Sequence, residues 1–346
     1  MATATTTATK PAVQEATHRR RRWSLERFLS PLILTPSLVA IFVFVYGFIA
    51  ATVWVSLSNW GSAKENWSIK HPLFRTYKNL FNQVRFQDDL RNTLIFTVLF
   101  LFLAVVVGLT LAILLDQHVF GSALFRNIYL FPYALSFIVT GVAWRWIFHP
   151  ETGINLFFEQ AGINSLLEKA GAGPLKPGWL TDPRVVGQVN DSLARLIPFS
   201  DAIDAKLGIP LAMIPVVIAA AWQLSGFAMA MYLAGLGTIP TELKEAAQLD
   251  GATTWQVYRH IIIPMLTPIT VSVMIILGHV SLKIFDLIFA MSGKGPGFAT
   301  DVPGIFVFEK TFRAQQYNVG AAASVIMLLL VSLVIVPYLA RTLKEL

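Results

Sequence analysis

Long stretches without a charged residue constrain the fold of this chain more than any other feature. Four of them contain no Asp, Glu, Lys or Arg, and they lie between Arg27 and Lys64, Arg91 and Asp116, Lys206 and Glu242, and Arg313 and Arg341. A helix needs about 20 mostly apolar residues to cross the hydrocarbon core of a bilayer, where an unpaired charge is costly. The sequence therefore predicts a membrane protein built from helices.

Two further apolar stretches bring the predicted spans to six. One contains Pro132 and has Arg145 near its end, and the other is interrupted by His279, Lys283 and Asp286. Composition agrees, because only 14% of the 346 residues are charged, whereas soluble domains carry about 25%. We expect an all-α polytopic membrane protein with six transmembrane helices at about 32–57, 92–115, 124–148, 209–236, 265–291 and 319–339.

The arginine run Arg19–Arg22 predicts the orientation of these helices. Basic residues beside a span are retained in the cytoplasm, so residues 1–30 are interpreted as a cytoplasmic basic tail, disordered over 1–17, and residues 31–346 as the transmembrane domain. A basic run can also contact nucleic acid, but directly before a span it is typical of the anionic cytoplasmic surface. We therefore expect lipid and no nucleic acid as a partner. Six crossings then return the C-terminus to the cytoplasm.

This orientation assigns each loop to one side of the membrane. Loops 116–123 and 237–263 are expected in the cytoplasm, and loops 58–91, 149–208 and 292–318 outside it. A structureless loop as long as 149–208 is uncommon, and this one includes an amphipathic segment near 189–196. We expect one or two short interfacial helices there, serving as a scaffold and as a contact for an external partner.

The sequence lacks the motifs of common catalytic and metal sites. It has no cysteine, and no Gly-x-x-x-x-Gly-Lys-Ser/Thr loop that would cradle ATP phosphates. His-Glu-x-x-His, Gly-x-Ser-x-Gly and histidine pairs at metal-ligand spacing are also missing. The sequence therefore predicts a chain that is not an enzyme and that holds no metal or cofactor of its own.

The charged residues of the fifth predicted span admit two interpretations. Lys283 and Asp286 are three apart, so they can pair on one helix face, and His279 lies one turn earlier. Charges inside a span usually face the bundle interior or a water-filled path. Alternatively, these two lie close to the outer boundary near Met291 and extend their charged ends to the surface.

The fourth predicted span carries an aromatic and polar set that also admits two interpretations. It consists of Trp222, Gln223, Ser225 and Tyr232. Aromatic faces and amides suit a sugar, because rings contact its C–H surfaces and amides bond its hydroxyls. Polar side chains equally bridge neighbouring helices in lipid. The sequence leaves both possibilities open.

Residues 237–264 read as two short helices joined at Asp250-Gly251. Thr241 is a candidate cap for the first helix, and Gly251 supplies the backbone freedom that a helix stop needs. Thr253 and Gln256 have capping-box spacing and begin the second helix. Pro264 then marks a break before the next span.

The first of these helices presents small side chains. Leu243, Ala246, Ala247 and Asp250 fall three or four apart, so they share one face. Small alanines on an exposed face allow another protein to approach closely. An ordinary cytosolic loop helix would have the same features, and the pattern by itself does not choose between the two.

The same segment resembles the EAA loop of ABC importer permeases, the membrane subunits of binding-protein-dependent transport systems. That pattern is Glu-Ala-Ala, three residues, Gly, nine residues and Ile-x-Leu-Pro, and Glu245-Ala-Ala, Gly251 and Ile261-Ile-Ile-Pro264 match every spacing, with Ile263 for Leu. Phe285-Asp-Leu-Ile, Gly293-Lys-Gly-Pro and Tyr317-Asn-Val-Gly-Ala-Ala-Ala-Ser further resemble the carbohydrate branch, the maltose and glycerol-phosphate types. The resemblance covers about residues 30–346.

The resemblance implies a coupling helix that docks in a cleft of a separate ATPase. Its docking and boundary residues would be Glu245, Ala246, Ala247, Asp250, Gly251 and Pro264. It also implies a sugar as substrate, a second permease subunit, an ATPase dimer that binds ATP and Mg²⁺, an extracytoplasmic solute-binding protein, and a location in a bacterial or archaeal inner membrane.

The resemblance places sugar contacts on the fourth and fifth spans. The corresponding positions are Trp222, Gln223, Leu224 and Phe227, then Leu277, Ser281 and Ile284. Adding the charged pair, the substrate-path candidates are Trp222, Gln223, Phe227, Ser281, Lys283 and Asp286. Several positions are apolar, so a partner permease would carry more of the contacts.

Two other functional classes compete with the permease interpretation. A self-contained secondary transporter or channel would use His279, Lys283 and Asp286 as an ion or proton relay and would need no ATPase. A membrane-embedded enzyme would need an acid–base or nucleophile arrangement, which the sequence does not contain. The EAA-type segment favours the importer.

Overall fold

The computed structural model describes residues 25–117, 120–188 and 204–345. The chain divides into two compact units, residues 1–51 and 52–346. Most of the basic tail and the amphipathic segment near 189–196 lie outside the described residues. In the first unit, α1 (Leu25–Ile41) continues through a π-helical turn (Phe42–Gly47) into α2 (Phe48–Leu57), which ends in the second unit.

The second unit is predominantly helical. Its first half contains α3 (Arg75–Phe81), α4 (Val84–Asp116), α5 (Ser122–Leu130), α6 (Phe137–Ile147), α7 (Ile154–Gln160) and α8 (Ile163–Lys169). Its second half contains α9 (Met213–Leu236), α10 (Thr241–Leu249), α11 (Thr254–Val257), α12 (Ile263–Met265), α13 (Thr267–Leu282), α14 (Asp286–Met291), α15 (Pro303–Phe308) and α16 (Tyr317–Glu345).

Four helical segments are long and apolar enough to cross a membrane. They are Ile33–Leu57, Val84–Asp116, Met213–Leu236 and Tyr317–Ala340. Two bent pairs, Ser122–Ala134 with Phe137–Ile147 and Thr254–Met265 with Thr267–Leu282, raise the number to six if each pair is one span. The described residues thus carry four to six candidate spans, and the expected six is the upper figure.

The expected continuous span over 124–148 is instead two helices bent by 100°. Pro132 follows α5 in a 3₁₀ turn (Phe131–Ala134), and Leu135 is extended. Ser136 then caps α6 by accepting a hydrogen bond from the backbone N–H of Ile138. Proline removes a helix donor and the serine cap favours a new start, which together explain the break.

The expected fifth span over 265–291 is also interrupted. Its helix α13 begins at Thr267, after a 61° bend, and ends at Leu282. Lys283 to Phe285 leave the helical path before α14 begins at Asp286. Broken helices at membrane depth are tolerated where protein or water satisfies the freed backbone groups.

Helix α9 lies at the centre of the second unit, because 72% of its apolar window is buried, against 28% for α4. Glycines allow neighbouring segments to approach it closely. A Cβ on Gly108 of α4 would lie 2.5 Å from the Cβ of Ala228, and one on Gly226 would collide with the carbonyl of Tyr129. Small residues at helix crossings are how membrane helices pack closely without a hydrophobic driving force.

The described part of the 149–208 region contains two short α-helices, α7 and α8. A two-residue antiparallel pairing joins β1 (Val185–Val186) to β2 (Ile209–Pro210), just before α9. Asn155 of α7 ties the region together, because its amide donates to the carbonyls of Pro150 and Pro177 and accepts from the indole N–H of Trp179.

Candidate coupling segment and substrate path

Residues 241–264, called the EAA segment below, begin with a helix that ends at a specific stop. Helix α10 ends at Leu249, and Gly251 adopts a φ of 86°. The N–H of Gly251 bonds the carbonyl of Gln248, and the N–H of Ala252 bonds that of Ala247, each at 3.0 Å. This pair of bonds defines a Schellman motif, which favours glycine at the left-handed position.

A capping box begins the next helix, as the Thr253 and Gln256 spacing predicts. The backbone N–H of Thr253 donates to Gln256 Oε1 at 2.8 Å, and the N–H of Gln256 donates to Thr253 Oγ1 at 3.4 Å. A π-helical turn (Tyr258–Ile262) then leads into α12, where exposed Pro264 lies in the first turn. At the other end, Thr241 is the first helical residue rather than the cap, because Pro240 occupies the N-cap position without a side-chain bond.

Nearly all of α10 is exposed. Only Lys244 and Ala247 are partly buried, so these two, three residues apart, form the face that contacts the rest of the chain. Leu243, Ala246 and Asp250, expected on one face with Ala247, are exposed, as is Glu245. Ala247 lies with Lys244 on the face that packs against the chain, not with Leu243, Ala246 and Asp250. The exposed surface of α10 therefore includes Glu245 as well as those three residues.

Two large apolar side chains of the EAA segment are exposed to solvent. Leu249 is 89% exposed and Trp255 is 66% exposed. Large apolar groups clustered on a polar surface are typical of interaction sites. A cavity of about 320 Å³ opens between the two short helices, lined by Gly251, Gln256 and His260 among others.

Gln223 and Ser281, two substrate-path candidates, lie within the helix packing. The Gln223 amide donates to the carbonyl of Leu135 at 2.8 Å, which satisfies an acceptor freed by the break before α6. Ser281 Oγ donates to the carbonyl of Gly278 at 2.8 Å and lies 3.0 Å from Thr97 Oγ1. Both side chains are 1% exposed or less, so in this conformation neither lines an open path.

Trp222 and Phe227 differ from these two in their accessibility. Trp222 is exposed and packs edge-on against Trp144, and Phe227 is partly buried and stacks on Tyr133 at 5.5 Å. Leu224, Leu277 and Ile284 are buried. Trp222 also lines an apolar cavity of about 490 Å³ between α4, the α5 region and α9.

The charged pair on the fifth span lies on two helices rather than one. Lys283 follows the end of α13, and Asp286 lies in the first turn of α14, so the break separates them. Both are exposed, and among the described residues no ion pair joins them. His279 is partly buried one turn before Lys283.

Comparison with known proteins gives a family for this arrangement. Residues 104–344, well over half of the chain, match the family described as binding-protein-dependent transport system inner membrane component. The chain belongs to this family of ABC transporter permeases. The match confirms the resemblance drawn from the EAA segment.

Relatives of this permease come from several archaea. A probable ABC transporter permease of Pyrococcus horikoshii is 36% identical, over 89% of this chain and 93% of its own. The xylose/arabinose import permease of Haloferax volcanii is 32% identical, over 74% and 69%. The trehalose/maltose permease of Thermococcus litoralis is 26% identical, over 91% and 93%.

A solved structure has the same fold. A bacterial ABC transporter that imports the acidic polysaccharide alginate matches with a TM-score of 0.67 and 19% identity, over 92% of this permease and 96% of that chain. The permease is thus a multi-pass membrane protein, a transport component of an ABC system.

At the end opposite the EAA segment, the permease has an ionic cluster that sequence reasoning missed. Arg85, at the start of α4, pairs with Asp301 at 2.7 Å and with Glu309 at 2.8 Å. The amide of Asn92 donates to the backbone carbonyls of Phe298 and Asp301, each at 2.8 Å. These residues, Arg85, Asn92, Asp301 and Glu309, are called the Arg85 cluster below.

The Arg85 cluster holds buried charge. The Asp301 side chain is fully buried, and burial raises the pKa of its carboxyl despite the adjacent Arg85 guanidinium. Burial and the nearby Arg85 charge lower the pKa of Lys310. No local pattern revealed this cluster, because Arg85 and its partner Asp301 lie more than 200 residues apart. Their charges lie in segments that the sequence assigned only as loops.

Proposed function

We propose that this permease is the membrane subunit of an ATP-driven, binding-protein-dependent importer for a sugar, whether a mono- or oligosaccharide or a glycoside. The observation that carries the proposal is the EAA segment, in which a helix with a glycine stop is followed by a capped helix and Leu249 and Trp255 face solvent. A helix with so little contact to its own chain needs another protein to cover it. The chain lacks a phosphate-binding loop, so the energy would reach it from a separate ATPase.

The coupling contact would involve most of the exposed motif. Glu245, Ala246, Asp250 and Gly251 are accessible to a partner. Glu245 supplies negative charge for a basic surface, and Ala246 allows close approach. Ala247 would act from the inner face, and Pro264 would fix where the segment enters the next span. ATP and Mg²⁺ would bind in a dimer of ATPase subunits.

The topology and the other subunits would be those of a binding-protein-dependent importer. With six spans, the termini and the EAA segment would lie in the cytoplasm of a bacterium or archaeon, and the Arg85 cluster would lie outside. A second permease subunit would complete the path, and an extracytoplasmic solute-binding protein would deliver the sugar. A related alginate transporter solved in complex with its pentasaccharide-bound periplasmic protein supports the latter partner.

Names of the relatives support a carbohydrate as substrate. They include permeases for xylose/arabinose, for trehalose/maltose, for starch degradation products and for sn-glycerol-3-phosphate. On this chain, exposed Trp222 and partly buried Phe227 are the best placed of the path candidates. Gln223 and Ser281 would join the path only if α9 and α13 separate from their neighbours during transport.

Uptake by the reconstituted transporter tests the proposal. Glu245→Ala should abolish coupled sugar uptake and solute-stimulated ATP hydrolysis while the permease still inserts and folds, because Glu245 is exposed and, among the described residues, forms no ion pair. Glu168→Ala, an exposed glutamate on α8, is the matched control and should leave uptake unchanged. Normal uptake by the Glu245 variant would refute the coupling role, and uptake without any ATPase would favour a secondary transporter.

A further inference from the structure

An ion pair joins the EAA segment to α4, beside the apolar contacts that buried Val257 and Ile262 of the same segment make with the core. Lys244 Nζ of α10 lies 3.0 Å from Asp116 Oδ2, and both side chains are about one quarter exposed, at 25% and 24%. Within the described part of the chain, this is the one ion pair that joins α10 to another element. Ala247, one turn along the same face, packs against the hydrophobic core.

Asp116 is the last residue of α4, a continuous helix of 33 residues. At 1.5 Å per residue such a helix is about 50 Å long, enough to cross the whole membrane. Its other end carries Arg85 and Asn92, which bind Asp301, Glu309 and the carbonyl of Phe298. One rigid element therefore links α10 at one end to residues 298–309 at the other.

The covalent routes out of α10 are less direct. Its N-terminal side joins α9 through a turn at Gly237–Pro240, and its C-terminal side reaches α13 through a 61° bend and a π-helical turn. Bends of this kind absorb motion at their own dihedral angles. An uninterrupted helix anchored by side chains at both ends transmits a displacement along its axis.

We propose that the Lys244–Asp116 ion pair positions the EAA segment on α4, so that movement of that segment passes along α4 to the Arg85 cluster at the opposite end. The proposal rests on the proposed function, since it concerns how ATPase movement reaches the far side. Lys244 and Asp116 are positioning residues: they touch neither sugar nor nucleotide. A single ion pair at a partly exposed site adds at most about 1 kcal/mol to stability, so its main expected contribution is to coupling.

The test is the number of ATP molecules hydrolysed per sugar imported by the complete transporter in proteoliposomes. Lys244→Ala and Asp116→Ala should each raise that number about 5-fold or more, the lower range of typical coupling energies, while the complex remains assembled. Lys244→Arg and the charge exchange Lys244→Asp with Asp116→Lys should restore it towards the wild-type value. A purely structural role would alter assembly rather than this ratio.

Lys176→Ala is the matched control. Lys176 forms a similar ion pair with Glu159 at 3.2 Å, but both side chains are more than half exposed and neither belongs to α4 or α10. Its ratio should equal that of the wild type. If the two alanine variants keep the wild-type ratio, or if the charge exchange restores nothing, the proposal is wrong. A wild-type complex that shows no ATP-driven uptake would instead refute the proposed function.

A double-mutant cycle tests transmission along α4 itself. Arg85→Lys keeps the positive charge but replaces the forked guanidinium, which contacts both Asp301 and Glu309, with a single ammonium group, so the contacts weaken while the charge stays. If α4 carries the movement, Arg85→Lys and Asp116→Ala interrupt the same route, and the double variant should be no less coupled than the worse single variant. Independent, multiplying effects would show that the two ends act separately, which would overturn the proposal.

Discussion

The two ends of α4 are built on opposite principles. At one end the EAA segment has an exposed helix with a glycine stop, followed by a short helix with a capping box, and among the described residues one ion pair joins it to α4. At the other end the Arg85 cluster surrounds the fully buried Asp301 and joins residues more than 200 positions apart. The first region is thus left open to solvent, as the proposed coupling contact requires, whereas the second holds the permease itself together.

The largest expected effect is on the stability of the buried end. Arg85→Ala leaves the fully buried Asp301 carboxyl without its cation, and breaking a buried pair from one side costs about 3 kcal/mol or more in the free energy of unfolding. Thermal unfolding of the purified permease in detergent or nanodiscs should show this loss of stability as a lower unfolding temperature.

Arg313→Ala is the control for this loss. Arg313 lies 3.7 Å from Glu309, but its side chain is 63% exposed, so its removal should change the stability by no more than about 0.5 kcal/mol. Equal effects of the two variants would mean that burial does not distinguish the Arg85 cluster from a surface contact.

A second prediction concerns the pH dependence of the same end. Because the pKa of Asp301 is raised in the folded state, the folded chain binds a proton more readily than the unfolded chain. Its contribution to stability is therefore full below the unfolded pKa of about 3.9 and is lost as the pH rises through the raised value. The slope from this one group is at most about 1.4 kcal/mol per pH unit.

The comparison of variants isolates that slope. Asp301→Asn should unfold with a smaller loss of stability over this rising pH interval than the wild type does, as measured by denaturation at a series of pH values. Glu168→Gln, at an exposed position, should follow the wild type. A slope that is unchanged in Asp301→Asn would mean that Asp301 does not carry the pH dependence.

The smallest of these effects is at the exposed end. Gly251 has a φ of 86° with open space around it, so Gly251→Ala is strained by backbone conformation alone, by about 1 kcal/mol. The strain falls on the Schellman stop of α10, and the affinity for the ATPase should weaken about 5-fold. Gly173→Ala, in open space without a positive φ, should leave the affinity unchanged; a similar loss there would point to a general effect of removing glycine.

Short sequence patterns predicted the helix stop and the capping box of the EAA segment. The Gly251 stop and the Thr253–Gln256 capping box are formed by residues within a few positions of each other, so their spacing alone predicts them. Thr241 was misassigned because Pro240 occupies the capping position instead. The long uncharged stretches likewise predicted the candidate spans, since hydrophobic length is a property of the stretch itself.

Long-range packing explains what sequence reasoning missed. Gln223 suits a sugar by its chemistry, yet its amide donates to the carbonyl freed at Leu135, a break created by Pro132 and Ser136 on another segment. Asp286 and Lys283 suit a pair on a helix, yet the helix ends between them. The partners of Arg85 depend on how residues 298–309 return to α4, which no local pattern encodes.

Shielding of the EAA segment by the ATPase tests the central claim most directly. The chain has no cysteine, so Leu249→Cys, at a site 89% exposed, gives this subunit a single thiol whose maleimide labelling can be followed on the permease band, and Lys176→Cys provides an exposed thiol away from α10. We predict that adding the ATPase to the permease suppresses labelling at position 249 and leaves position 176 unchanged. Labelling at position 249 that persists with the ATPase bound would contradict the account.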